Sequence, residues 1–206
     1  MTMFFVIEGQ DATGKDVQAT KLAEYFRAQN KNVIHYAESG TNSQNEFVRN
    51  VAELNYGKKN DIDKRTRLLM YLINRYEQFK KYAEPALRNN DTVIVTRYWY
   101  SAYIYEGYGL GVSRSLVKRL HKIIMPEQYF QPDKIVILTL SDAERQKRML
   151  ANGKRTQEFF KSQENIFAQK INNCYLKVAQ EFKAPTLDAS GTPDEVFDNL
   201  KKLWNI

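Results

Sequence analysis

The 206-residue sequence contains a single cysteine, Cys174. No disulfide can form within the chain, and a cysteine-based metal cluster is excluded. A lone thiol is typical of proteins kept in a reducing compartment, so we expect a cytoplasmic protein. We interpret Cys174 as a small residue of the hydrophobic core.

Long apolar runs and blocks of like charge are also absent. No segment reaches the roughly 20 apolar residues that a membrane-spanning helix needs, so no membrane partner is expected. The net charge is nonetheless +7, from 31 Lys and Arg against 24 Asp and Glu. This balance favours an anionic ligand, either a nucleotide or nucleic acid. Because the basic residues alternate with acidic ones and the aromatic residues mostly fall at core spacing, we do not expect nucleic acid to be the partner.

Short β-rich runs alternate with helical patterns along the chain, and no linker or repeat divides it. The runs cover residues 3–8, 32–36, 92–96 and 134–140, with a weaker fifth at 184–189. This alternation predicts one α/β domain over residues 1–206, with a parallel five-stranded sheet covered by helices on both faces. In such folds ligands bind beyond the carboxyl ends of the strands.

A glycine-rich segment, GQDATGKD, follows the first predicted strand and opens an amphipathic helix. Glycines at positions 9 and 14 allow backbone N–H groups to surround a phosphate, and Lys15 would reach the β- and γ-phosphates. This pattern predicts an ATP-binding phosphate loop. The predicted cofactor-binding residues are Gly9, Gln10, Asp11, Ala12, Thr13, Gly14, Lys15, Asp16 and Val17.

Asp16 departs from the usual loop pattern, in which a Ser or Thr hydroxyl at this position binds magnesium. A carboxylate is favourable in the first turn of a helix, but it is repelled by a triphosphate unless a cation lies between them. Mg²⁺ accepts carboxylate oxygens readily, so Asp16 is a candidate metal ligand.

With this loop and four further sequence blocks, the whole chain resembles the thymidylate kinases. Asp11, Lys15 and Gln18 match the family's phosphate loop. The resemblance implies a three-layer P-loop nucleoside monophosphate kinase fold. It also implies ATP and Mg²⁺ as phosphoryl donor and metal, and a homodimer.

The resemblance further implies where the acceptor dTMP binds. Tyr71 and Arg75 match a ring that stacks on thymine and an arginine that holds the base. Arg97 matches the arginine that contacts the acceptor phosphate, and Arg49 stands where the family often has another arginine. The predicted substrate-binding residues are Glu38, Arg49, Tyr71, Arg75, Arg97, Ser101 and Tyr105.

Two departures from the family pattern form a pair. P-loop enzymes bind magnesium with a loop hydroxyl and with a carboxylate at the end of a nearby strand. Here the loop hydroxyl is replaced by Asp16, and the family's strand-end aspartate is replaced by Thr96. We therefore predict a magnesium site in which hydroxyl and carboxylate have exchanged positions.

The family also has a mobile, arginine-bearing lid that closes over ATP, which we place at about residues 148–160. Since the family's loop arginine is replaced by Ala12, another positively charged residue must stabilise the charge on the transferring phosphoryl group. Arg148 and Arg155 are the candidates, beside Lys154. The predicted catalytic residues are Lys15, Asp11, Arg97, Arg155 and Arg148.

The resemblance thus implies an enzyme that transfers the γ-phosphoryl group of ATP to dTMP, giving dTDP for dTTP synthesis. Two alternatives stay open at this point. One is a kinase for another, possibly modified, deoxynucleoside monophosphate, because the AESG segment alters the edge of the pocket. The other is a catalytically silent nucleotide-binding homologue, which the changes at Asp16, Ala37 and Thr96 would allow.

Overall fold

The computed structural model describes residues 3–56, 61–153 and 162–206. A parallel five-stranded sheet forms the centre, in the order β2-β3-β1-β4-β5. Its strands are β1 (Met3–Gly9), β2 (Val33–Ala37), β3 (Thr92–Thr96), β4 (Lys134–Thr139) and β5 (Thr186–Asp188). The predicted parallel sheet is confirmed, and each observed strand overlaps its predicted segment.

Helices connect the strands and cover both faces of the sheet. They are α1 (Lys15–Arg27), α2 (Glu46–Tyr56), α3 (Lys64–Gln78), α4 (Glu84–Arg88), α5 (Trp99–Ala102), α6 (Arg114–Ile124), α7 (Asp142–Ala151), α8 (Gln163–Glu181) and α9 (Pro193–Trp204). Wider π-helical turns extend α3 through Phe79–Ala83 and α5 through Tyr103–Gly109.

The alternation of side chains along β1 separates two hydrophobic clusters. Phe4 and Val6 face the layer that contains α3, α6 and α8, and Cys174 of α8 is buried there, as expected. Phe5 and Ile7 face the opposite layer, formed by α1 and α9. Both faces of the strand are therefore buried, which explains its nearly continuous apolar sequence.

The carboxyl ends of β1, β2 and β3 lie side by side, and the segments predicted to be functional follow them. Thr96 at the end of β3 pairs in register with Ile7 of β1 and with Ala37 of β2. Consequently the phosphate loop, Glu38 and Arg97 all follow neighbouring strand ends.

Candidate active site

The phosphate loop makes a tight turn between β1 and α1. Gly9 has a φ of +148°, and a Cβ atom there would lie 2.8 Å from the Leu138 carbonyl oxygen and 2.8 Å from Thr13 Oγ1. Gly14 has a φ of +86°, in the left-handed region that glycine favours. Gln10 Nε2 donates to the carbonyl of Ala168 at 2.7 Å, which fixes the loop to α8.

Lys15 lies almost entirely inside this turn, with 5% of its surface exposed. Its Nζ lies 3.4 Å from Asp11 Oδ1. Burial lowers the pKa of Lys15, the positive charge of Arg97 lowers it further, and the charge of Asp11 opposes both effects. A buried cation at the centre of the loop is suited to an anionic ligand.

A cavity of about 420 Å³ lies beside the phosphate loop. We call it the donor cavity, after the phosphoryl donor expected there. Residues 12–18 form one wall, and Arg148, Asn152 and the segment around Gly191 form the other. Arg148 Nη2 donates to the carbonyl of Ala189 at 2.7 Å, and its Nε donates to Glu144 at 3.2 Å. The structure thus brings Arg148 to the same cavity as Lys15, with its guanidinium bound to the loop that precedes α9.

Arg97 links the loop to the end of β3. Its φ of +66° is unusual for a residue other than glycine, and its backbone N–H donates to the carbonyl of Ile7 at 3.1 Å. The guanidinium forms an ion pair with the Asp11 carboxylate and lies 5.9 Å from the centre of the Tyr105 ring. This backbone conformation directs Arg97 across the loop, beside Lys15.

A second cavity, of about 500 Å³, has Asp11 in its wall, and we call it the acceptor cavity. It brings together four of the predicted substrate residues: Tyr71, Arg97, Ser101 and Tyr105. Its remaining lining residues are Asp11, Ile62, Lys64, Arg67, Glu106, Leu110 and Phe167. Asp11 of the phosphate loop and Arg97 after β3 therefore both line a pocket large enough for a nucleotide.

Glu38 and Arg75, two further predicted substrate residues, line neither cavity and form a buried ion pair with each other. Arg75 Nε donates to Glu38 Oε2 at 2.7 Å, and the two side chains are 1% and 0% exposed. Tyr129 donates to the same oxygen at 3.0 Å. Burial raises the pKa of Glu38 to about 7, against the lowering effect of Arg75. The Arg75 guanidinium also lies 5.3 Å from the centre of the Tyr71 ring, so the pair supports the ring that faces the cavity.

Asp16 and Thr96 lie in different environments. Asp16 is exposed at the edge of the donor cavity, whereas Thr96 is fully buried and its Oγ1 has no hydrogen-bond partner within the described ranges. Both residues lie near β2: Thr96 pairs with Ala37, and the charge of Asp16 acts on His35, opposing the lowering of the pKa of that imidazole by burial.

Other predicted residues lie apart from the cavities or outside the described residues. Arg49 is exposed on α2, where its Nη1 donates to the carbonyl of Ser43 at 2.7 Å, and it lines neither cavity. Lys154, Arg155 and most of the predicted lid lie outside the described residues, as do residues 57–60.

Sequence reasoning missed four charged residues of the site: Glu8, Lys64, Arg67 and Glu106. Glu8 is fully buried and accepts hydrogen bonds from Ser101 and from the Gly9 N–H. Its position directly before Gly9, the first glycine of the loop, could have identified it as a site residue from the sequence. Arg67 precedes Tyr71 by four residues and so shares its helix face, while Glu106 directly follows Tyr105.

Comparisons with known proteins show which family the chain resembles. The family model described as "Thymidylate kinase" matches residues 7–200. A thymidylate kinase of Mycoplasma capricolum is 27% identical over 98% of this chain and 93% of its own length. One of Anaplasma phagocytophilum is 32% identical over 88% of this chain and 78% of its own length.

A solved structure shares the fold. The crystal structure of thymidylate kinase from Ehrlichia chaffeensis superposes with a TM-score of 0.75 at 24% identity, covering 100% of this chain and 99% of that one. Among the helices of the described ranges, none is long and apolar enough to cross a membrane. Within the same ranges, His, Cys, Asp and Glu side chains form no group of three that could hold a metal.

Proposed function

Because this chain belongs to the thymidylate kinase family, we propose that it transfers the γ-phosphoryl group of ATP to dTMP, giving dTDP and ADP. The observation that carries this assignment is that Asp11 pairs with two cations that line different cavities: Lys15 lines the donor cavity, and Arg97 lines the acceptor cavity. A donor bound on one side and an acceptor bound on the other would place two phosphates beside the same two cations.

ATP occupies the donor cavity in this proposal. The N–H groups of the loop and the positive end of α1 hold its phosphates, and Lys15 neutralises charge on the β- and γ-oxygens. Arg148 holds the wall of the cavity through its bonds to the segment before α9. Residues 148–160 would close over the nucleotide as a lid and exclude water, with Arg155 as a further cation.

The acceptor dTMP occupies the acceptor cavity, with its base stacked on Tyr71 and its phosphate against Arg97. Tyr105 lies beside Arg97, next to the sugar, and Arg75 fixes Tyr71 from behind. Because phosphoryl transfer needs little covalent chemistry from the protein, most of the rate enhancement comes from positioning and charge neutralisation. Arg97 and Lys15 supply this charge, and both contact Oδ1 of Asp11.

Asp16 and Thr96 are the proposed magnesium ligands. A buried hydroxyl without a hydrogen-bond partner and a carboxylate at the head of α1 fit the oxygen donors that Mg²⁺ prefers. The ion would supply positive charge to the phosphates. If the two positions have exchanged roles, Asp16→Ser alone should lower activity and Thr96→Asp in the same chain should recover it. Full activity of the single variant would contradict the exchange.

We also propose that the chain works as a single-domain homodimer in the cytoplasm. Leu69, Ile73 and Tyr76 follow one another at helical spacing on α3 and are 47%, 45% and 40% exposed. Such an exposed apolar stripe on α3 supports a second copy of the chain as the partner that covers it. Light scattering should give twice the 24.1 kDa chain mass, and Ile73→Glu should give the monomer. Leu203→Glu on α9 is the matched control.

The enzymatic proposal is tested by coupled detection of ADP with ATP, Mg²⁺ and a panel of dTMP, dUMP, dCMP and purine monophosphates. We expect turnover that depends on dTMP and falls by about 10² or more in Lys15→Ala. Lys21→Ala, in the exposed ion pair with Asp194, is the control for loss of a lysine from α1. Binding of dTMP without turnover would favour a silent homologue instead.

A further inference from the structure

Glu106 is a buried carboxyl group that the proposed transfer does not use. It lies in the π-helical segment after α5 and lines the acceptor cavity, yet it is only 1% exposed. Its Oε2 has no hydrogen-bond partner within the part of the chain that is described. An unsatisfied buried oxygen costs free energy, and an N–H group of a ligand would remove that cost.

Several charged residues lie near Glu106. Arg67 and Arg75 act on it from α3, and Lys64, Arg97 and Asp11 line the same cavity. The phenol of Tyr105 lies next to it in sequence and in the cavity wall. Burial raises the pKa of Glu106 to about 7, and the charges of Arg67 and Arg75 oppose this increase. The group therefore changes charge within the neutral range.

Tyr71 shares the acceptor cavity with Glu106, and in the proposed complex it stacks on the base. A stacked ring presents its edge to the cavity wall, where Glu106 lies. Stacking itself scarcely distinguishes thymine from cytosine, because both are pyrimidine rings of similar area. Discrimination then depends on the polar groups at the ring edge.

Position 3 of the ring separates the two bases. Thymine has an N3–H donor there, whereas cytosine has an N3 lone pair. An ionised carboxylate accepts from thymine N3–H and repels the cytosine lone pair. A protonated carboxyl can accept from thymine through its carbonyl oxygen or donate its O–H to cytosine N3.

On the basis of the phosphoryl transfer to dTMP proposed above, we propose that Glu106 reads position 3 of the acceptor base and that its protonated form admits dCMP as a second substrate. The reaction is the same: an oxygen of the dCMP phosphate bonds to the γ-phosphorus, and the β–γ bridging bond breaks. Its electron pair stays on ADP, and dCDP is formed.

The test is the ratio of kcat/KM for dTMP to kcat/KM for dCMP between pH 6 and pH 8. The two phosphates titrate alike, so their contribution cancels in the ratio. We expect the ratio to increase about tenfold over this range, since the protonated fraction of a group with a pKa of about 7 falls about tenfold. In Glu106→Gln, whose amide does not titrate, the ratio should stay constant.

Glu181→Gln is the matched control, because Glu181 accepts from Tyr103 at 2.6 Å and lies outside the acceptor cavity. In Glu181→Gln the ratio of the two kcat/KM values should depend on pH as it does in the wild type. A constant wild-type ratio, or an unchanged slope in Glu106→Gln, would overturn the role of Glu106 while leaving dTMP kinase activity standing. Absence of dTMP turnover at every pH would overturn both. If Glu106→Gln does not fold, the pH dependence of the wild-type ratio alone tests the proposal.

Discussion

Glu8 and Ser101 form the direct connection between the phosphate loop and the acceptor side of the site. Glu8 Oε1 accepts from the backbone N–H of Ser101 at 2.9 Å, and Ser101 Oγ lies 3.1 and 3.0 Å from the two carboxylate oxygens. Glu8 Oε2 also accepts from the Gly9 N–H at 3.2 Å. One buried carboxylate therefore fixes the start of the loop relative to α5.

Replacing Glu8 with Gln should lower kcat more than it changes the KM for ATP. The amide has one acceptor oxygen, and its NH₂ group would face N–H donors, so the loop and α5 would shift relative to each other. A displacement near 1 Å can cost about 10² in rate. Steady-state kinetics on Glu8→Gln, Ser101→Ala and the double variant should give a coupling of about 0.5–3 kcal/mol. Additive effects would show that the two residues act independently.

The two loop glycines should respond differently to alanine. A Cβ at Gly9 would lie 2.8 Å from the Leu138 carbonyl oxygen, whereas a Cβ at Gly14 has no heavy atom within 4 Å. Gly14→Ala should therefore cost only the left-handed backbone strain, about 1–2 kcal/mol. Gly9→Ala should cost more and displace β4 or Thr13. Equal free energies of unfolding, from urea denaturation, would contradict this difference.

Replacing Arg75 with Met leaves Glu38 buried without its cation. Breaking such a pair costs about 3–5 kcal/mol, and we expect this loss in the free energy of unfolding. The exposed pair of Lys21 and Asp194 provides the comparison, since Lys21→Met should cost at most about 1 kcal/mol. A small effect for Arg75→Met would mean that Glu38 is stable as a neutral acid.

Stability should decrease as the pH rises towards 7. The pKa of Glu106 is raised from 4.5 to about 7 in the folded protein, so its contribution to stability is fully present below pH 4.5 and is lost as the pH rises through 7. At about 1.4 kcal/mol per pKa unit, this loss is on the order of 3 kcal/mol. Glu106→Gln should lose less stability than the wild type between pH 5 and pH 7. Parallel pH profiles of the free energy of unfolding would contradict the raised pKa.

The sheet and the phosphate loop can be predicted from the sequence because both depend on local patterns of residues. Apolar runs identify strands buried on both faces, and glycines 9 and 14 mark positions where the backbone needs positive φ. Tyr71, Arg97, Ser101 and Tyr105 were predicted from the family resemblance, and the fold brings them to one cavity.

Residues whose roles depend on long-range contacts were harder to predict. Glu8 and Ser101 form a hydrogen bond although they are 93 positions apart in the sequence, and Arg75 and Glu38 do so at a separation of 37. Ser101 was predicted to contact substrate, yet in the structure it also holds Glu8. Glu106 was missed because a single carboxylate beside a tyrosine has no distinctive pattern until the cavity is seen.

The most direct test of the proposed activity follows the phosphoryl group itself. ATP labelled at the γ-phosphate would be incubated with dTMP and Mg²⁺, and the labelled products separated by chromatography. We predict that the label moves to dTDP, and that this transfer falls by about 10² or more in Lys15→Ala while Lys21→Ala retains it. Label that stays in ATP, or that appears only as inorganic phosphate, would contradict the assignment.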